Sequence, residues 1–249
     1  MPIKRDIEIA QYLSKEGESF SISLTTENRP FFNNLPNSYY AIASAISLCW
    51  TKHAQHNREF IEYASGYIDG TTMRDQSIAA TYCGRFGVES LDGALSNYRY
   101  YYSRVRNLMP EFNTCSVQEI NRLQQRLLGE LNNLRNQRLV SGIGPWLFLG
   151  PFKIILGDQQ RLWNNDGINA IILPTGIEVN RGIDRLVSER YGFMEDFDIH
   201  WLEENTGSLL DGYATCSMAH NFMSKIASLA QASILHINSG LWKYGKQEI

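Results

Sequence analysis

The chain has 249 residues, of which 43% are hydrophobic and 20% charged, with a formal net charge of -3. That is an ordinary globular composition, long enough to bury a core, and it carries no overall basic field of the kind that drives non-specific nucleic-acid binding. No apolar run reaches the roughly 18 residues of a membrane span and no secretory leader is evident. Cys49, Cys83, Cys115 and Cys216 form no CxxC pair, so the expectation is a cytoplasmic protein with free, buried thiols and no membrane contact.

Residues 1–36 are the least helical part of the pattern. Ser19-Phe20-Ser21-Ile22-Ser23-Leu24-Thr25 alternates polar and apolar residues, which predicts a short half-buried strand, followed by a turn at residues 33–37. From Tyr39 onward the spacing is helical. Tyr39, Ile42, Ala43, Ile46 and Trp50 share one face, as do Phe60, Ile61, Ala64 and Tyr67. Gly66, Gly70, Gly84, Gly87 and Gly93 divide this region into modest elements. His53, His56 and Glu59 read as a solvated helix face.

Residues 97–106 interleave Tyr98, Tyr100, Tyr101 and Tyr102 with Arg99, Arg104 and Arg106. Such a stretch can stack bases and hold phosphates. The helical alternative puts Tyr98, Tyr101, Tyr102 and Val105 in the core and the arginines in water, and the spacing favours it. Ser116-Val117-Gln118-Glu119 is a capping box. It opens a helix in which Ile120, Leu123, Leu127, Leu131 and Leu134 form an apolar stripe.

That helix runs into Leu139-Val140-Ser141-Gly142-Ile143-Gly144-Pro145-Trp146. Two glycines separated by one apolar residue permit a sharp turn, so helices over 117–141 and 145–156 are expected, joined at 142–144. No acidic residue occurs between Glu130 and Asp158, whereas Arg135, Arg138 and Lys153 do. A turn of outward amides in positive surroundings is suited to a phosphate; the plainer reading is a tight helix–helix turn whose arginines offset a helix C-terminus. After a polar interval, Ile171-Ile172-Leu173-Pro174 leads to Thr175, a candidate N-cap, and to a helix with Val179, Ile183, Leu186 and Val187 on its core face. Phe222, Ile226 and Leu229, then Ile234, Ile237 and Leu241, continue the helical pattern to the end.

Gly142-Ile143-Gly144-Pro145-Trp146, the apolar helix after it, and Leu173-Pro174 before a second helix resemble the helix-hairpin-helix DNA glycosylases, of the alkylation-repair and 8-oxoguanine type. The likeness covers residues 139–186. It implies a mainly α-helical, glycosylase-like fold in one globular unit, or in two packed helical subdomains, with the helix-hairpin-helix at about 117–156. It also implies duplex DNA as partner, gripped by Arg135, Arg138, Gly142 and Gly144, and a base pocket walled by Trp146, Phe148 and Trp163. No cofactor is implied. The four clustered C-terminal cysteines of the iron–sulfur members are missing, since only Cys216 lies in that region.

The catalytic aspartate expected after the proline is replaced by Thr175, Gly176 and Ile177. Two other groups are candidates for chemistry. Glu178 could stabilise an oxocarbenium-like transition state, as a carboxylate does in glycoside hydrolysis, or could simply sit well in a first helical turn. Lys153, deep in an apolar run, could attack the sugar as a desolvated amine and form an imine, or snorkel to water. Cys216 and His220, at i and i+4, have metal-ligand spacing without a second pair; a core thiol and a surface or hydrogen-bonded imidazole account for them. Two functions follow from the resemblance: a DNA glycosylase-like enzyme that binds duplex DNA and excises a damaged base, or a non-catalytic helical module, binding nucleic acid or protein, that has lost the catalytic aspartate.

Overall fold

The computed structural model describes residues 4–34, 38–51, 58–73, 90–110, 112, 114–158, 168, 170–189, 191 and 209–247. The fold is all-α. Nine α-helices occur among these residues: α1 (Lys4–Asn34), α2 (Tyr39–Thr51), α3 (Arg58–Asp69), α4 (Ser90–Val105), α5 (Val117–Asn136), α6 (Pro145–Asp158), α7 (Ile177–Ser188), α8 (Leu209–Ala230) and α9 (Ile234–Lys246). A 3-10 turn, Arg106–Leu108, extends α4. None is long and apolar enough to cross a membrane.

The strand expected at residues 19–25 does not form; α1 runs through it. The local polar–apolar alternation is overruled by a longer pattern, because Asp6, Ala10 and Leu13 are buried at helical spacing and the next turn carries Gly17. Those turns lie against α9. A Cβ on Gly17 would meet the His236 carbonyl oxygen at 1.7 Å, and one on Gly240 would meet that of Leu13 at 2.1 Å. The two backbones approach so closely that only hydrogen fits between them. Trimming the side chains in this way is what lets α1 cover the length of α9.

Every helix contributes to one hydrophobic cluster. α9 is buried at every position from Ile234 to Leu241, with α1 on one side and α7 on another. The stripes read from the sequence face inward: Ile120, Leu127 and Leu131 of α5, Ile183 and Leu186 of α7, and Ile226 of α8 are fully buried. Gly66 and Gly93 lie inside α3 and α4 rather than between elements. Gly84 and Gly87, His53 and His56, and Cys83 lie outside the described residues.

The tyrosine–arginine stretch is a core face. Tyr98 and Tyr101 are fully buried, and Tyr101 donates its hydroxyl to the Leu127 carbonyl at 3.0 Å. Tyr98 donates to the carbonyl of Leu147. That carbonyl has no amide donor within α6, because the residue four positions on is Pro151. Arg99 lies over the Tyr67 ring at 4.8 Å and Arg104 over Tyr100 at 5.1 Å, so two of the arginines are engaged with rings of the protein itself.

Adding a methyl group at the α1–α9 contact should be costly. Gly240→Ala is expected to lower stability by about 1–3 kcal/mol through overpacking, measured by urea denaturation. A change within about 0.5 kcal/mol, the range of a neutral surface substitution, would contradict the close approach.

Candidate nucleic-acid interface and the buried lysine

The turn between α5 and α6 is built in two stages. α5 begins with the capping box: the Ser116 amide donates to Glu119 Oε2 at 2.7 Å and the Glu119 amide to Ser116 Oγ at 3.3 Å. Its hydrogen bonds to Ser116 hold the Glu119 carboxyl below its ordinary pKa. At the other end, the Arg138 amide bonds the Arg135 carbonyl at 2.9 Å and the Leu139 amide bonds that of Leu134, also at 2.9 Å. This is the Schellman pattern, but the residue in the left-handed conformation is Arg138 (φ 58°), where glycine would be cheaper. The α5 helix therefore stops at Asn136, five residues short of the expected boundary.

The turn then passes through Gly142 (φ 72°), a conformation that needs glycine. Gly142 is exposed, and a Cβ built on Gly142 or Gly144 would meet nothing within 4 Å. At Gly142 the hairpin therefore presents bare backbone to solvent; Gly144 is half-buried and Arg138 is exposed. Arg135 has a different place: its Nη1 donates to the Ile143 carbonyl at 3.1 Å, so it braces the hairpin from within. Asn97 of α4 accepts the Ser141 amide at 2.8 Å and fixes the near side.

Trp146, half-buried in the first turn of α6, lies over Gly176; a Cβ there would be 3.1 Å from the indole ring. Gly176 is itself the N-cap of α7 and supplies no side-chain cap. Thr175 is not the cap; its hydroxyl is instead 3.2 Å from the Cys216 thiol, whose pKa is raised by burial. Phe148 is fully buried and packs edge-to-face on Phe152. It belongs to the core. Trp163 lies outside the described residues.

Lys153 does not snorkel. It is only 8% exposed, and its ammonium donates to Asn238 Oδ1 at 2.7 Å. The Asn238 amide nitrogen donates in turn to the Pro174 carbonyl at 3.0 Å, with Met223 Sδ at 3.4 Å. Burial pushes the lysine pKa down to about 7, since the charged form is stranded away from water. Glu178 is elsewhere. Its carbonyl oxygen lies against Gly245, seven residues beyond Asn238 along α9, or about 10 Å. Among the described residues no hydrogen bond or ion pair joins Lys153 to Glu178, and no group of three or more His, Cys, Asp or Glu side chains could hold a metal.

Two residues that organise this region were not singled out from the sequence. Gln124, fully buried, accepts the Ile172 amide at 3.0 Å and donates to the Ile172 carbonyl at 2.9 Å. It pins the segment before α7 to α5. Asn238 does the same from α9. Both carried a readable signal: each stands four residues after one member of an apolar stripe and three before another, at Ile120 and Leu127 or at Ile234 and Leu241. An amide at such a position is buried and has to find partners.

Compared with protein-family models, curated proteins and solved structures, the chain has no match in any of the three.

The lysine should register in the pH dependence of stability. Its folded pKa lies below the unfolded one, so the unfolded chain binds more protons between about pH 7 and the ordinary lysine value, and stability rises with pH there. The slope should approach about 1.4 kcal/mol per pH unit up to roughly pH 9.5, before the tyrosines intervene. Lys153→Met should flatten it. Equal slopes in denaturation midpoints of the two proteins would rule out the depressed lysine pKa.

Proposed function

We propose that the protein is a helix-hairpin-helix module of the DNA glycosylase type that binds the backbone of duplex DNA without lysine or aspartate chemistry. The observation that carries this reading is the hairpin itself. Gly142 takes the positive φ that shapes an exposed turn, no side chain fills the space beside Gly142 or Gly144, and the exposed Arg138 lies four residues before Gly142. Backbone amides and a nearby guanidinium are the groups that hold a phosphate without reading sequence. Arg135 contributes by shaping the turn.

The loss of chemistry follows from two contacts. The Lys153 amine is enclosed by the core and bonded to Asn238, so it is not presented to a sugar. The space beside Gly176, where a side chain would project from the start of α7, holds the Trp146 ring.

Affinity for a labelled duplex should fall as salt rises, because phosphate contacts release counterions. Arg138→Glu should weaken binding to all sequences alike and reduce the magnitude of the salt slope by about 1. Gly142→Val, which cannot adopt the positive φ, should weaken it further. Absence of binding at low salt would reject nucleic acid and leave a protein-interaction module. Borohydride should trap no protein–DNA adduct, and no base should be released from oxidised, alkylated or deaminated duplexes. Base release abolished by Glu178→Gln would restore the enzyme reading, with Glu178 acting by charge.

A further inference from the structure

Asp158 closes α6 at the end away from the hairpin, about 20 Å distant along a 14-residue helix. It is 9% exposed. The Tyr39 hydroxyl of α2 donates to its Oδ2 at 2.9 Å, and the Tyr39 ring is held by stacking on Phe32 of α1 at 4.5 Å. The second oxygen, Oδ1, is buried and has no hydrogen-bond partner. Among the described residues the carboxyl makes no ion pair; the one cation whose field reaches it is Arg29 of α1.

An ionised carboxylate is poorly served there. One oxygen lacks a donor in buried surroundings. A proton removes the charge, so the carboxyl no longer has to be stabilised as an anion away from water. We propose that Asp158 is a proton-binding site, and that the junction of α1, α2 and α6 is tightest when its carboxyl is protonated and loosens as it ionises. Tyr39 and Arg29 set the balance, because both favour the ionised form and keep the site responsive.

Burial raises the Asp158 pKa, opposed by the Tyr39 hydrogen bond and the Arg29 charge. A carboxyl with a raised folded pKa contributes stability that is complete below its unfolded value and is lost as pH rises through the folded one. The test is a carbon-13 NMR titration of the Asp158 carboxyl in the intact protein. Its midpoint should lie clearly above the ordinary value of about 3.9, and Tyr39→Phe should move it higher still, because the donor to the ionised form is gone. As pH rises from about 4, the ordinary carboxyl value, to about 7, the melting temperature of the wild type should fall relative to that of Asp158→Asn, a permanently neutral isostere. A midpoint at or below the ordinary value, or one that Tyr39→Phe leaves in place, would overturn the proposal. So would an Asp158→Asn protein that melts below the wild type throughout that range.

Discussion

The amide of Asn238 is the contact on which the arrangement of the second half of the chain depends. Its oxygen takes the Lys153 ammonium and its nitrogen serves the Pro174 carbonyl and Met223. One fully buried side chain on α9 thus ties together α6, the segment leading into α7, and α8. Each partner would be costly alone: a buried ammonium without an acceptor, or a backbone carbonyl with no donor in a dry core. An apolar residue at 238 would keep the packing and forfeit all three. The hydrogen bonds also have direction, so they fix the depth at which α6 sits, and with it the hairpin at its start.

The same helix explains the course of α1. Because Gly17 and Gly240 let α1 and α9 touch through their backbones, burial is gained along the whole interface rather than at a few side chains. That long-range gain is invisible to a seven-residue window. The expected strand at 19–25 rested on local alternation in Ser, Ile, Leu and Thr, which is a real β preference, but a weak one. The helical register of Asp6, Ala10, Leu13 and Gly17 was present in the same letters; what was missing was the surface it would meet. By contrast, the capping box at Ser116 and the leucine stripe of α5 are determined within a few residues of themselves and form as read, and the glycine turn forms with α5 ending five residues earlier than expected.

The chemistry of the region was harder to read. The apolar letters around Lys153 correctly implied a buried stem, and the structure carries the burial through to the amine, because a polar partner waits on a helix 85 positions later. Nothing near Lys153 in sequence announces that partner. Arg135 and Arg138 look equivalent in the sequence, yet one braces the turn and the other faces water, a difference set by the Schellman geometry that ends α5. Three positions, and the end of α5 between them, separate a structural guanidinium from one available to a ligand. The proposed function therefore rests on backbone shape at Gly142 and Gly144 and on Arg138, and not on a catalytic group.

The central claim is that this hairpin is the contact surface for duplex DNA. Amide chemical shifts followed by NMR as a duplex is added would test it most directly. The account predicts that the largest changes fall on Arg138, Gly142 and Gly144, while Asn238 and its neighbours on α9 stay in place. Shifts concentrated on another surface, with the hairpin amides unmoved at saturation, would contradict it.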